Sequence, residues 1–471
     1  MISNTQKLVS MFSGMLLLGS VSAQSAVQFS LKEAQAYGVE NSYVVKNARM
    51  DAEAARRQVK ETIAIGLPQL NGTIDYQNFI DIPTQIAPAD AFGFPGYLTQ
   101  FLFDVSQETG VALNAPEADP NAITEFQFGT PQTMTAGLSL TQLIFDGSYF
   151  VGLQAARAYA DVMNGAIDLS AQQVKDQIAQ AYHTVLIAEE NVKVLEESIV
   201  LMQKLVNETN QLFSSGFLEE QDVEQLQLSL NDLYNRVAHA KNQRLIAMKL
   251  LKFQLGLDFS TELVLTDTVQ SLMAENVVDL ASTPYSFGNT INHELLTKQI
   301  ELMELNVKNE RARGLPSIGG FYNYQRNAQR DEFNFLDFDR TWYPTQLWGL
   351  QLKMPIWTSM QGKHRVERAR IDLERAKLQR EQTEESSELE YQTALSDFQF
   401  SKTNLENQQQ SLNLAKRIFE KTQIKYTEGV ASSMDLTTAE NQYLASQGNL
   451  INATLQLLNA KSRLMKALDI Y

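Results

Sequence analysis

The chain has 471 residues, a formal net charge of -16 at neutral pH and no cysteine. The acidity makes nucleic acid an unsuitable partner, and it fits either simple solubility or a lumen that favours cations. The missing thiols exclude disulfides, cysteine-based zinc sites, thiol nucleophiles and a lipidated N-terminal cysteine.

Lys7 is the only charged residue ahead of the mostly apolar run Leu8–Leu18, and Val21-Ser22-Ala23 offers a small-residue cleavage site. Residues 1–23 therefore read as a secretory signal, with an N-terminal membrane anchor as the alternative. The run is too short to span a bilayer, and no later segment supplies the roughly 18 consecutive apolar residues that a transmembrane helix needs. Export then leaves periplasm, medium, or an outer membrane entered as β-strands.

The first repeat is expected over 24–256. Ser30-Leu31-Lys32-Glu33 is a capping-box pattern that starts a short helix, and a second helix runs on to Ile65. Gly66-Leu67-Pro68 stops it, because glycine follows helices well and proline cannot continue one. A strand follows at about 68–80, with Leu70, Gly72, Ile74 and Tyr76 on one face and Asn71, Thr73 and Asp75 on the other. Residues 80–132 hold six prolines and read as an exposed loop. A second alternating strand covers about 133–145 and closes at Phe145-Asp146-Gly147.

A long helix is then predicted over 148–213, about 100 Å at 1.5 Å per residue. Its apolar residues Val174, Ile178, Ala181, Val185, Ala188 and Val192 step by 4 and 3 without a break as far as Phe213, which is a coiled-coil seam. Gly216-Phe217 reverses the chain, and a returning helix spans 219–254. Residues 257–290 form an irregular connection without a clear pattern.

The plan then repeats over 291–471. Gly314-Leu315-Pro316 lies 248 positions beyond the first Gly-Leu-Pro stop, and Ile318, Gly320, Tyr322 and Tyr324 repeat the first strand at the same offset. Strands are expected at about 316–326 and 347–357, a long helix at 359–426, a reversal at Glu428-Gly429-Val430 and a returning helix at 432–470. The second seam, Ser387, Tyr391, Ala394, Phe398 and on to Tyr426, lies 213 positions beyond the first. Two narrow seams of this length cannot form one compact core, so the duplicated halves read as walls of one extended architecture.

Four strands with one apolar face each match the length that crosses an outer membrane, but barrels need about eight or more strands. Open edges do not survive in hydrocarbon, so several chains must share one barrel. Tyr76, Phe145, Tyr324, Trp348 and Trp357 sit where an interfacial aromatic girdle against outer-membrane lipid is expected. The alternative is a small soluble β-layer packed on its own helices.

The order of these pieces resembles the TolC-like outer-membrane efflux proteins. The resemblance rests on Phe29-Ser30-Leu31 with Ala34 and Asn41, the two Gly-Leu-Pro stops, and Leu138-x-Leu140 through Phe145-Asp146-Gly147. It rests also on the two reversals, Phe213-x-x-Gly216-Phe217 then Asp222-Val223, and Tyr426-x-x-Gly429-Val430 then Asp435-Leu436. It implies a mainly α fold with a small β part, four long coiled-coil helices and four transmembrane strands. It further implies a homotrimer whose 12-stranded barrel continues into a periplasmic α-barrel. The implied function is a passive export channel for small molecules or secreted proteins, served by a periplasmic adaptor and an inner-membrane transporter. The rival is a soluble periplasmic coiled-coil adaptor or scaffold, which would show one helical hairpin rather than two.

The resemblance puts adaptor docking at Gly216, Phe217, Leu218, Gly429, Val430 and Ala431, where the glycines also supply the freedom a reversal needs. It puts an acidic periplasmic entrance at Asp222 and Asp435, although an acid in a first helical turn is favoured by the helix dipole in any case. Ala431 and Thr438 stand where an Arg and a second Asp occur in some members, so a gate here would use other bonds. No catalytic set, metal site or cofactor is expected: the four histidines are scattered and no phosphate-binding glycine loop is present.

Overall fold

In the computed structural model of the chain, the residues described are 27–88, 94–112, 123–127, 129–274, 280–337 and 339–470. The expected signal segment, 1–23, lies outside them. In chain order the elements are β1 (Val27–Phe29), α1 (Leu31–Asn41), α2 (Tyr43–Ile65), β2 (Gln69–Asn78), β3 (Thr84–Pro88), α3 (Phe94–Thr109), β4 (Ile123–Gln127) and β5 (Gln132–Asp146). There follow α4 (Gly147–Ser214), α5 (Glu220–Leu255), β6 (Leu263–Leu265), α6 (Val269–Ala274) and two short 3-10 turns at Leu280–Ser282 and Phe287–Asn289. The second half carries α7 (Ile291–Ala312), β7 (Ser317–Arg330), β8 (Tyr343–Lys353), α8 (Gln361–Thr427) and α9 (Ser433–Ala467). Among the described residues, no helix is long and apolar enough to cross a membrane.

The chain divides into two compact units. The mainly helical unit contains most of α4 and α8, all of α5 and α9, and the short strands β1 and β6. Its seams are buried where the sequence places them: Val174, Ile178, Ala181 and Val185 on α4, and Tyr391, Ala394, Phe398, Phe419 and Tyr426 on α8. One core joins Ile178 and Tyr182 to Leu251 and Leu255 of α5, with Ala34 and Val45 from the first two helices. The Tyr182 hydroxyl donates to the Phe29 carbonyl at 3.0 Å or to Asp267 at 3.1 Å, so the ring's polar end is satisfied inside this core. β1 pairs in parallel with β6, Val27 opposite Leu263, and so ties the N-terminal strand to the connection after α5. β6, in a stretch that gave no pattern, is thus ordered by a partner far off in sequence.

α1 starts as the sequence dictates: Ser30 N–H donates to Glu33 at 2.8 Å, and Glu33 N–H donates back to the Ser30 hydroxyl. α4, α5 and α8 all end on a glycine with positive φ, at Gly216, Gly256 and Gly429. In each case the glycine N–H and the following N–H reach back to helix carbonyls. Phe217 donates to Leu212, Leu257 to Lys252 and Val430 to Lys425, the signature of a Schellman stop.

The other unit holds a four-stranded antiparallel sheet in the order β2-β5-β7-β8, and β2 and β8 are its unpaired edges. Its registers bring apolar residues together across strands: Leu70 opposite Leu140, Leu138 opposite Tyr324, Tyr322 opposite Trp348 and Ile318 opposite Leu352. The other face is polar, with the Thr135 hydroxyl donating to Asn327 at 2.8 Å and Ser139 to Asn323 at 2.6 Å. On the β8 edge, Gly349 leaves room for the Phe321 ring, which a Cβ there would meet at 2.7 Å.

Two expectations are corrected. Residues 80–132, read as a loop, contain the antiparallel pair β3 and β4 and the helix α3. The fourth strand occupies Tyr343–Lys353 rather than 347–357. The alternation continues through Met354 and Ile356, but Pro355 has no N–H to give to a ladder, so pairing stops at Ser317 opposite Lys353.

Candidate functional site

Two regions collect the residues singled out from the sequence: the reversals between the long helices, and the apolar face of the sheet. At the first reversal Gly216 takes φ +81°, and at the second Gly429 takes +73°; a Cβ at either would meet nothing within 4 Å. The side chains beside them divide cleanly. Phe217 and Val430 are 78% and 77% exposed. Leu218 and Ala431 instead pack against a core built from Met202, Leu205, Leu226, Leu233, Phe419 and Leu436. Both hairpins contribute to that core, and the Thr209 hydroxyl of α4 lies 3.1 Å from the Tyr426 hydroxyl of α8. Burial pushes the Tyr426 hydroxyl above its ordinary range, and the nearby Asp222 charge adds to this.

Because the tip glycines stand in open space, only their backbone conformation resists a side chain. Gly429→Ala is expected to lower stability by about 1 kcal/mol, the cost of a left-handed residue other than glycine. Thermal melting of the detergent-solubilised protein checks this.

The two acids beside the reversals, Asp222 and Asp435, are each engaged by the start of their own helix. Asp222 accepts from the Glu219 N–H at 3.2 Å. Asp435 accepts from the Ser432 hydroxyl at 2.7 Å and from its N–H at 3.0 Å, while Asp435 N–H donates to the same hydroxyl. The Ser432 hydroxyl and N–H hold the Asp435 carboxyl below the usual carboxylate range. Such caps are most effective with the acid ionised, so both carboxylates have a structural duty at the reversals.

Sequence reasoning passed over Glu440. It lies on α9 five positions beyond Asp435 and is only 6% exposed. Burial pushes its carboxyl up to about 7, with the Arg236 charge acting in the opposite direction. The signal was available, because Leu436, Ala439 and Tyr443 define a seam that Glu440 borders.

On the sheet, the apolar face is laid open: Leu70, Ile74, Trp348, Leu350 and Leu352 are all exposed. The five residues expected as an aromatic girdle occupy different places. Tyr76 meets the Phe333 ring edge-on at 5.5 Å near the loop end of β2. Tyr324 accepts from Arg326 at 2.9 Å on β7. Phe145 lies 6.0 Å from Phe150 at the helix end of β5. Trp348 is not at a strand end: it stands in the middle of β8, opposite Tyr322. Trp357 lies beyond β8, 78% exposed.

Among the described residues, no group of three or more His, Cys, Asp or Glu side chains is placed to hold a metal. His183 is buried, 3.1 Å from the Asn459 side-chain oxygen, and burial lowers its pKa to about 4. It is a neutral packing residue.

Comparison with known proteins gives three results. The family model described as outer membrane efflux protein matches residues 293–469. The outer membrane protein TolC of Vibrio cholerae is 21% identical over 346 residues, covering 71% of this chain and 76% of that protein. Among solved structures, CusC superposes with a TM-score of 0.69 at 17% identity, over 94% of this chain and 92% of its own. The CmeC outer membrane channel of Campylobacter jejuni gives 0.67 at 17% identity, over 99% and 94%. The fold described above is the fold of these channels.

Proposed function

We propose that this chain is one of the TolC-like outer-membrane efflux proteins, a reading supported by the family model and the Vibrio cholerae relative, and that three copies of it form one outer-membrane duct. The observation that carries this reading is the sheet, with a continuous apolar face turned outward and two unpaired edges. An exposed apolar surface of that extent calls for lipid or a partner. Unpaired N–H and C=O groups at β2 and β8 need partners in hydrocarbon, and a sheet of four strands is too small to close on itself. Pairing β2 of one copy with β8 of the next satisfies both edges, and three copies give twelve strands.

The polar face then lines the lumen, and its hydroxyl–amide pairs offer water a wetted, nearly uncharged wall. The duct is passive: nothing in the chemistry of its lining stores or releases energy. It depends on an inner-membrane transporter, reached through a periplasmic adaptor that meets the exposed Phe217 and Val430 of the reversals. Small molecules or secreted proteins are its cargo.

The natural absence of cysteine makes the test direct. Cysteine pairs scanned along β2 and β8 should, under mild oxidation in membranes, give disulfide-linked dimers and trimers at alternate positions. A gel showing only monomer for every pair, with the protein still in the outer membrane, would sink the shared barrel.

A further inference from the structure

The chain sorts its charges across the sheet. Between Lys60 and Arg157 there is no lysine or arginine at all, while acids such as Asp81, Asp104, Glu108 and Glu125 lie between β2 and β5. The opposite end of the sheet is where α2, α4, α7 and α8 join the strands, and there cations dominate. Lys60, Arg157, Arg311, Lys363, Arg368 and Arg370, drawn from all four helices, are exposed. They lie within about three turns of the helix ends that face the strands. In a protein of net charge -16 this concentration runs against the overall balance.

Nearby carboxylates offset it only in part. Glu310 is already shared between Arg313 at 3.3 Å and Arg365 at 3.6 Å. Glu367 is shared between Lys363 at 3.8 Å and His364 at 3.2 Å. Between sheet and cations lies an apolar step, Ile356 and Trp357, 86% and 78% exposed. Going from strand to helix, the surface therefore runs apolar, aromatic, cationic. That is the sequence of environments met on leaving a bilayer through an anionic headgroup layer.

We infer that this cationic collar binds the headgroups of anionic phospholipids in the leaflet on the helix side of the sheet. The ligand chemistry is a lipid phosphodiester with net negative charge. Several lysine and arginine side chains meet it at the membrane surface, where each contributes attraction that fades over about a Debye length. The inference rests on the sheet spanning a membrane, as proposed above, and adds which lipid the protein selects and with which residues.

The test is reconstitution of the full-length protein into vesicles of phosphatidylcholine alone or with phosphatidylglycerol, together with native mass spectrometry of lipids retained after detergent extraction. Wild type should retain phosphatidylglycerol over phosphatidylcholine. The combined variant Lys60→Gln, Arg311→Gln, Lys363→Gln, Arg368→Gln should lose at least about tenfold of that preference, given the attraction each cation contributes. A companion variant with Arg311→Lys and Arg368→Lys keeps the charge and should keep the preference. Equal retention of both lipids by wild type, or an unchanged preference in the glutamine variant, would overturn the collar's role and leave the channel standing. Failure of wild type to enter vesicles of either composition would overturn the channel reading and this inference with it.

Discussion

Replacing Glu440 by glutamine should raise the melting temperature at pH 8 and flatten its dependence on pH. The carboxyl lies in the helix contact near the reversals, and burial pushes it from an ordinary 4.5 up to about 7. Arg236 is the charged group that opposes this from α5, and it is itself held by Asp232 at 2.6 Å. The folded protein therefore binds a proton between these two values that the unfolded chain does not. Stability from this group is greatest below about 4.5 and is lost as pH rises through about 7. The full gap corresponds to about 3 kcal/mol. Glutamine keeps the shape and has no charge to bury, so the variant should match wild type at pH 5 and exceed it at pH 8. Parallel melting curves for the two proteins from pH 5 to pH 8 would refute the assignment.

Gly256→Ala should cost about 3 kcal/mol, far more than the same change at Gly429. Two effects add at Gly256. Its φ of +72° lies in the left-handed region, where an added Cβ costs about 1–2 kcal/mol. That Cβ would also stand 2.5 Å from the Asn41 carbonyl oxygen, a backbone atom fixed by the break between α1 and α2. Relieving such a contact moves whole helices, and overpacking of this kind costs about 1–3 kcal/mol. Gly429 has the same strain without the neighbour. Paired melting of the two variants separates the effects: equal losses would mean that the Asn41 backbone yields freely.

The duplicated plan was legible because it depends on local rules repeated in order. Glycine and proline stop helices wherever they stand, so Gly66-Leu67-Pro68 and Gly314-Leu315-Pro316 announced both helix-to-strand transitions. The heptad steps of α4 and α8 needed only a count of three and four. What stayed hidden depended on partners distant in sequence. β6 is three residues long and is a strand only because Val27–Phe29 lies beside it. β3 and β4 likewise support each other across α3. The end of β8 was misplaced because alternation reports which way side chains point, not whether the backbone is paired. Among the candidate sites, the glycine reversals could be read directly, and the caps made by Asp222 and Asp435 follow the same local spacing as Ser30 and Glu33. The place of Glu440 beside a seam was visible too, but its depth of burial depends on what covers α9.

The pairing of Val27 with Leu263 also governs when this protein can fold. An exported chain arrives with its N-terminal end first, and the first strand has no partner until the stretch after α5 has been delivered. The sheet is no quicker to form, since β5 pairs with β7 through contacts such as Thr141 with Phe321. Closing loops of this length lowers chain entropy before any contact compensates, so a topology of high contact order folds slowly. During that delay the open faces of β2 and β5 and the unpaired helical seams are exposed to self-association. Nearly the whole chain must therefore be held apart from its siblings, by chaperoning or by insertion machinery, until its last strand is available.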